Sequence, residues 1–127
     1  MTKRNLKAAT IAAQAGDAID MPSGGVVPPI QPSTTFVRDS GYDPVNPANI
    51  YGRDHNDQVR LAESIYCQLE GAAEALLFPS GMAATASVFR TLKSGSQVLL
   101  QSGIYWGTTQ WVRDYCDHNA IGLTEID

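Results

Sequence analysis

Six of the chain's seven prolines, Pro22, Pro28, Pro29, Pro32, Pro44 and Pro47, fall in one stretch, interleaved with Gly24, Gly25 and Gly41. Proline lacks a backbone donor and its ring clashes with the preceding helical turn, so no regular helix runs through that spacing. A short helix over Leu6–Ala15 fits before it, with Gly16 as the stop, and from Asp17 to Ile50 the chain is expected to be extended and irregular. A segment of about 35 residues without regular structure is longer than a compact domain accommodates as a loop. It is also too polar in places to build a core. The expectation is an arm that lies across another surface, such as a second subunit.

From residue 51 the pattern becomes regular. Asn56 or Asp57 can cap a helix over about 57–70, in which Val59, Ala62, Ile65, Tyr66 and Leu69 recur at helical spacing before Gly71 supplies a left-handed stop. Ala75-Leu76-Leu77-Phe78 reads as a strand ended by Pro79, and Ser80-Gly81 then opens a helix from Met82 to about Leu92. Lys93-Ser94-Gly95-Ser96 breaks that helix. Val98-Leu99-Leu100 reads as a buried strand, Thr108–Cys116 as a helix and Ala120–Ile126 as a further strand. Strands alternating with helices, joined by connections too long for hairpins, predict an α/β fold with a parallel sheet and right-handed crossovers. The chain thus divides into an extended arm over 1–56 and the start of an α/β domain over 57–127. No internal repeat or low-complexity tract interrupts either part.

The 127 residues carry nine basic and thirteen acidic side chains, a formal net charge of −4. Lys and Arg are scattered singly, which lacks the basic stripe that binding to a phosphate backbone needs and argues against nucleic acid as a partner. No window approaches the roughly 18 apolar residues of a membrane span, and the first twenty residues do not read as a signal peptide. A cytoplasmic location is expected. Cys67 and Cys116 have neither disulfide-framework nor zinc-site spacing, so both are expected to be reduced and near the core. His55 and His118 also lack ligand spacing and read as structural or exposed.

In open parallel sheets ligands gather beyond the carboxyl ends of the strands. Two such ends are expected here on one edge, the loops Phe78–Met82 and Ser102–Gly107. In the first, Ser80 is a natural N-cap and Gly81 admits close approach to the first free N–H groups of the helix, an arrangement suited to an anion. A capped helix with nothing bound satisfies the same residues. In the second, Tyr105-Trp106 sits between Gly103 and Gly107, where one ring face can stack on a flat conjugated ligand, or equally pack on the sheet edge or in a subunit interface. Upstream, the phenol and guanidinium of Tyr51-Gly52-Arg53 suit a phosphate dianion, although a lone Tyr-x-Arg also fits a solvated surface.

These blocks occur together and in order: Pro28-Pro29-Ile30, Ser33-Thr34-Thr35-Phe36, Tyr51-x-Arg53-x-x-Asn56, Leu69-Glu70-Gly71-Ala72, Ser80-Gly81-Met82-Ala83-Ala84 and Tyr105-x-Gly107-Thr108. In this order and spacing the chain, from about residue 9 to 127, resembles the amino-terminal part of the cystathionine γ-synthase-like family, the pyridoxal-phosphate enzymes of cysteine and methionine metabolism. The resemblance implies the arm and first βα units of a fold-type-I large domain, incomplete here. It implies pyridoxal 5'-phosphate as cofactor, an amino-acid substrate, and lyase or transferase chemistry of the transsulfuration type at the β or γ carbon of a sulfur amino acid or activated homoserine. Gly81 and Met82, with the cap Ser80, match the residues that bind the cofactor phosphate. Tyr105 matches the tyrosine that stacks on the pyridine ring and assists proton transfer. Tyr51 and Arg53 match the pair that holds the phosphate of a neighbouring subunit in a dimer or tetramer.

The sequence departs from the family pattern in places. Asp57-Gln58 stand where Pro-Thr is usual, placing a negative charge near a phosphate site, although Asp57 also suits a helix N-terminus. Trp106 stands where glycine is common, and Gln14 where histidine is frequent. The family's Schiff-base lysine and the carboxylate on the pyridinium nitrogen lie beyond residue 127. Of Lys3, Lys7 and Lys93, the last is at the far end of a helix of roughly 12 residues, about 18 Å from the phosphate end. The chain is therefore expected to be a fragment, inactive and poorly stable alone, with an unpaired sheet edge. Two alternatives remain: a non-catalytic chain lending Tyr51 and Arg53 to a longer partner, and an unrelated phosphate-binding α/β domain.

Overall fold

The computed structural model describes residues 6–54 and 56–127, so His55 and Lys3 lie outside the described residues. The chain forms two compact units, the first ending at Leu77 and the second running Phe78–Asp127.

In the first unit, helix α1 covers Ala8–Ala13, shorter at both ends than the expected Leu6–Ala15. Lys7 gives it no side-chain cap, and an uncapped short helix survives only through packing. Its anchor is the buried Ile11. A 3-10 turn over Ala15–Asp17 follows, where Gly16 adopts φ 65°. An added Cβ on Gly16 would lie 2.9 Å from Nε2 of Gln68 and 3.6 Å from Ile65, so the missing side chain permits both the turn and the close approach to the next helix. That helix, α2, covers Asp57–Glu70. Asn56 caps it by accepting from the Gln58 N–H at 2.9 Å, and Gly71 ends it at φ 63°, its N–H donating to the Cys67 carbonyl.

Between that 3-10 turn and α2 the described residues of the arm form isolated antiparallel bridges, Asp20 with Gly25, Thr35 with Tyr51 and Arg38 with Pro44. Its apolar side chains are largely uncovered: Met21, Val26, Val27, Ile30, Val37 and Val45 are all exposed, Ile30 at 94%. The expected strand over Ala75–Phe78 is absent. A strand is a hydrogen-bonded pairing, and no ladder partner meets this segment among the described residues. It runs without regular structure, with Leu76 exposed and the Leu77 N–H donating to Glu63 Oε1 at 2.9 Å.

The second unit runs α3 (Gly81–Phe89), β1 (Gln97–Gln101), α4 (Trp106–His118) and β2 (Gly122–Ile126). The strands pair in parallel as expected, in register from Gln97 with Gly122 to Gln101 with Ile126. Gly122 leaves room for the Gln97 amide, which any Cβ there would strike. Phe89, Val112, Cys116 and Ile121 form the buried core, with Leu92, Val98, Leu100, Trp111, Tyr115 and Leu123 packed against it. Phe89 meets Trp111 and Tyr115 edge-on at centroid distances of 5.6 and 6.0 Å, and those two rings stack on each other at 4.9 Å. Val98 and Leu100 are partly covered, whereas Leu99 points away from that core and is 70% exposed. The expected buried strand is thus half-buried, because successive side chains point to opposite faces and one of those faces is uncovered. Arg113 grips Glu125 with a fork of hydrogen bonds at 2.6 and 2.7 Å, tying α4 to β2. That grip holds the Glu125 carboxyl below its ordinary range and raises the guanidinium. Burial pushes the Cys116 thiol up, as suits an inert core cysteine.

Candidate functional site

In the second unit, α3 begins one residue earlier than periodicity predicts, at Gly81, with Ser80 extended at φ −159° as its cap. The Ser80 hydroxyl accepts from the Ala83 N–H at 3.0 Å and is thereby committed to the helix. The N–H groups of Gly81 and Met82 have no acceptor among the described residues. No acidic side chain stands in the first turn, and nothing lies within 4 Å of where a Gly81 Cβ would be. Free donors, an uncompensated positive helix end and open space in front of them fit an incoming anion.

Beside that turn lies the start of α4. Thr108 Oγ1 is 3.3 Å from the Met82 sulfur, so the first turn of α4 reaches the N-terminus of α3. Tyr105 and Trp106 are 76% and 75% exposed there. A Cβ on Gly107 would fall 2.8 Å from Cε1 of Tyr105, so the absent side chain is what lets the phenol fold over the first turn of α4. The structure therefore brings Ser80, Gly81 and Met82 together with the Tyr105–Thr108 loop. His118 is in the last turn of α4, and Lys93 lies beyond the carboxyl end of α3. Among the described residues no cluster of His, Cys, Asp or Glu could hold a metal ion, and no helix is long and apolar enough to cross a membrane.

Tyr51 and Arg53 belong to the first unit. Tyr51 bridges to Thr35, and the Gly52 N–H donates to the Thr34 carbonyl at 2.7 Å. A Cβ on Gly52 would stand 2.8 Å from the Ser33 carbonyl oxygen and 3.1 Å from the Thr34 Cα, both backbone atoms, so only glycine fits. The Arg53 guanidinium lies 5.0 Å from the centroid of the Tyr51 ring. Its Nε is 4.0 Å from the Asp54 carboxylate, an exposed pair that holds it only weakly.

Asp57, the negative charge expected near this pair and suited to a helix N-terminus, stands in the first turn of α2 and has partners there. Asp57 accepts from Asn49 Nδ2 at 2.9 Å and is paired with Arg60, whose guanidinium also donates to Asn49 Oδ1 at 2.6 Å and to the Ala48 carbonyl at 2.8 Å. The Asn49 hydrogen bond, and then Arg60, hold the Asp57 carboxyl below its ordinary range against the opposing effect of burial. Asn49 is 5% exposed, a buried polar side chain whose amide oxygen and nitrogen are both satisfied. Sequence reasoning missed Asn49, Arg60 and the tight fit of Gly52. A basic residue three positions after a first-turn acid was the visible signal for the Asp57–Arg60 pair.

Comparison with known proteins follows the same outline. The family described as Cys/Met metabolism PLP-dependent enzyme matches residues 9–127. The chain is 35% identical over 115 residues to cystathionine gamma-lyase of Saccharomyces cerevisiae, covering 91% of this chain and 29% of that protein. Among solved structures it resembles metB from Corynebacterium glutamicum with a TM-score of 0.86 at 30% identity, covering 97% of this chain and 32% of the other. It also resembles cystathionine gamma synthase from Xanthomonas oryzae pv. oryzae in complex with cystathionine, with a TM-score of 0.83 at 27% identity over 98% of this chain and 32% of the other. The chain spans about a quarter of the length of the mammalian cystathionine gamma-lyases it matches.

Proposed function

Because the chain belongs to the family of PLP-dependent enzymes of cysteine and methionine metabolism, we propose that it supplies the arm and the phosphate-binding end of such an enzyme's cofactor domain. The reaction class is elimination or replacement at the β or γ carbon of a sulfur amino acid or an activated homoserine. The observation that carries this reading is the open N-terminus of α3, with two free N–H donors, standing beside the Tyr105 loop. Membership of the family sets aside an unrelated phosphate-binding domain.

In this reading the Gly81 and Met82 N–H groups hold the cofactor phosphate, and Ser80 keeps the first turn rigid by capping it. Tyr105 lays its ring against the pyridine and holds or passes a proton at its phenolic oxygen. Tyr51 and Arg53 reach the phosphate of a neighbouring subunit, which gives the uncovered apolar arm a surface to lie on. Pyridoxal phosphate, when bound, supplies an electron sink for charge developing at the α carbon of the substrate. Lys93 is the second unit's lysine and stands past the carboxyl end of α3, away from the free Gly81 and Met82 donors.

A second reading, a non-catalytic chain that lends Tyr51 and Arg53 to a longer relative, draws on the exposure of Arg53, whose side chain is 80% accessible. Titration of the chain with pyridoxal phosphate, followed by tryptophan fluorescence, tests the main reading. Saturable quenching is expected, weakened at least about tenfold by Gly81→Asp, which sets a carboxylate against the phosphate. Quenching indifferent to that substitution rejects the phosphate site at α3. Copurification with a longer relative, lost in Arg53→Ala, supports the second reading.

A further inference from the structure

The segment from Asn49 to Asp57 carries Tyr51 and Arg53, and its two ends are joined by a side-chain bond, Asn49 Nδ2 donating to Asp57 Oδ2 at 2.9 Å. Arg60, one turn into α2, locks the same junction by donating to the Asn49 amide oxygen and the Ala48 carbonyl while pairing with Asp57. The backbone before it is fixed as well, since the Ala48 N–H donates to Asn46 Oδ1 and the Asn49 N–H to the Asn46 carbonyl. Together with the Gly52 contact to Thr34, these bonds hold the turn that presents the phenol and guanidinium.

The junction also disposes of a charge. Arg53 and Asp57 are only four positions apart, at most about 14 Å of extended chain. An unpaired carboxylate within that distance lowers the local potential where a phosphate must approach, by about twofold in affinity at low salt. Arg60 cancels it. Resting on the proposed function of Tyr51 and Arg53 as phosphate ligands, we propose that Asn49, Asp57 and Arg60 are positioning residues that close the loop carrying that pair and neutralise Asp57, leaving the exposed Asp54 carboxylate, 4.0 Å from Nε, as the group a phosphate ester displaces from Arg53.

The test is titration of the isotopically labelled full chain with inorganic phosphate at low ionic strength, reading the Nε–H resonance of Arg53, which reports that side chain rather than the helix end of α3. Four proteins are compared: the unaltered chain, Asp57→Asn, Arg60→Gln and the double variant. Asp57→Asn keeps the shape and the Asn49 contact while leaving Arg60 unopposed, so phosphate binding at Arg53 is expected to tighten about twofold. Arg60→Gln frees the carboxylate, so binding is expected to weaken by at least about twofold, and the double variant to return close to the unaltered chain. A purely structural role weakens binding in both single variants, and that result overturns the proposal. The same holds if all four bind alike. An Arg53 resonance that ignores phosphate in the unaltered chain rejects the phosphate role of Arg53 and this inference together, whereas a responsive Arg53 with the wrong order of affinities rejects this inference alone. Should Arg60→Gln lose its dispersed amide spectrum, Asp57→Asn decides the sign by itself.

Discussion

The two units are held by different kinds of interaction. The second gathers Phe89, Val112, Cys116 and Ile121 into a shared apolar cluster and stacks aromatic rings against it. The first buries Ile11 and the polar Asn49, and otherwise relies on turns, bridges and charged hydrogen bonds while leaving Ile30 and Met21 in solvent. An apolar cluster is non-directional and survives small shifts of its members, whereas a hydrogen-bonded junction depends on each partner keeping its place. The difference separates a unit that carries its own core from one whose apolar side chains stay largely exposed.

The largest expected effect falls on the core. Phe89→Ala removes the ring on which Trp111 and Tyr115 converge and is expected to cost about 3–5 kcal/mol. Hydrogen exchange then accelerates across Gln97–Gln101 and Trp106–His118 and stays unchanged in α2. Acceleration throughout both units merges them into one cooperative body and removes the contrast. Asn49→Ala comes next, leaving Asp57 and Arg60 each short of a partner at a cost of about 1–3 kcal/mol. The loss is expected in the first turn of α2 alone, and amides of the second unit that respond equally contradict the division. Ser80→Ala deletes the cap of α3 and costs about 1 kcal/mol, visible as faster exchange at Ala83 and Ala84.

The smallest effect is acid sensitivity, and it sorts by unit. Asp57 and Glu125 both have carboxyls held below their ordinary range, by Asn49 and Arg60 in one case and by Arg113 in the other. Each contribution is therefore complete above the unfolded carboxyl range, about 4, and is lost as pH falls through the lower folded value. Exchange in α2 followed from pH 5 downward is expected to lose its acid step in Asp57→Asn, and β2 to lose its step in Glu125→Gln. A step in α2 that persists in Asp57→Asn assigns the acid response to another carboxylate.

Elements whose ends are encoded locally were legible in the sequence. Asn56 and Gly71 bracket α2 at the residues where the structure caps and ends it, because a cap and a left-handed glycine act within one turn. The parallel pairing of β1 with β2 followed from the alternation of helices and strands. Ala75–Phe78 has the composition of a strand, but pairing is decided by a neighbour that composition does not name. The site divides in the same way. Ser80 and Gly81 announce a helix end, and the structure leaves the Gly81 and Met82 donors free there. The Asn49–Asp57–Arg60 junction joins polar residues up to eleven positions apart through side-chain geometry that no periodicity records. For that reason the sequence showed the Asp57 charge and its place at a helix N-terminus but not the partners that hold it.

The segment between Gly71 and Ser80 has a consequence for handling the protein. It has no regular structure, meets no ladder partner among the described residues, and carries Leu76 at 72% exposure directly before the boundary between the units. An accessible segment without regular structure is free to enter a protease cleft and pair there as an added edge. Brief digestion with an enzyme that cuts after leucine or phenylalanine is expected to nick the chain at Leu76 to Phe78 before any site within α2 or α4.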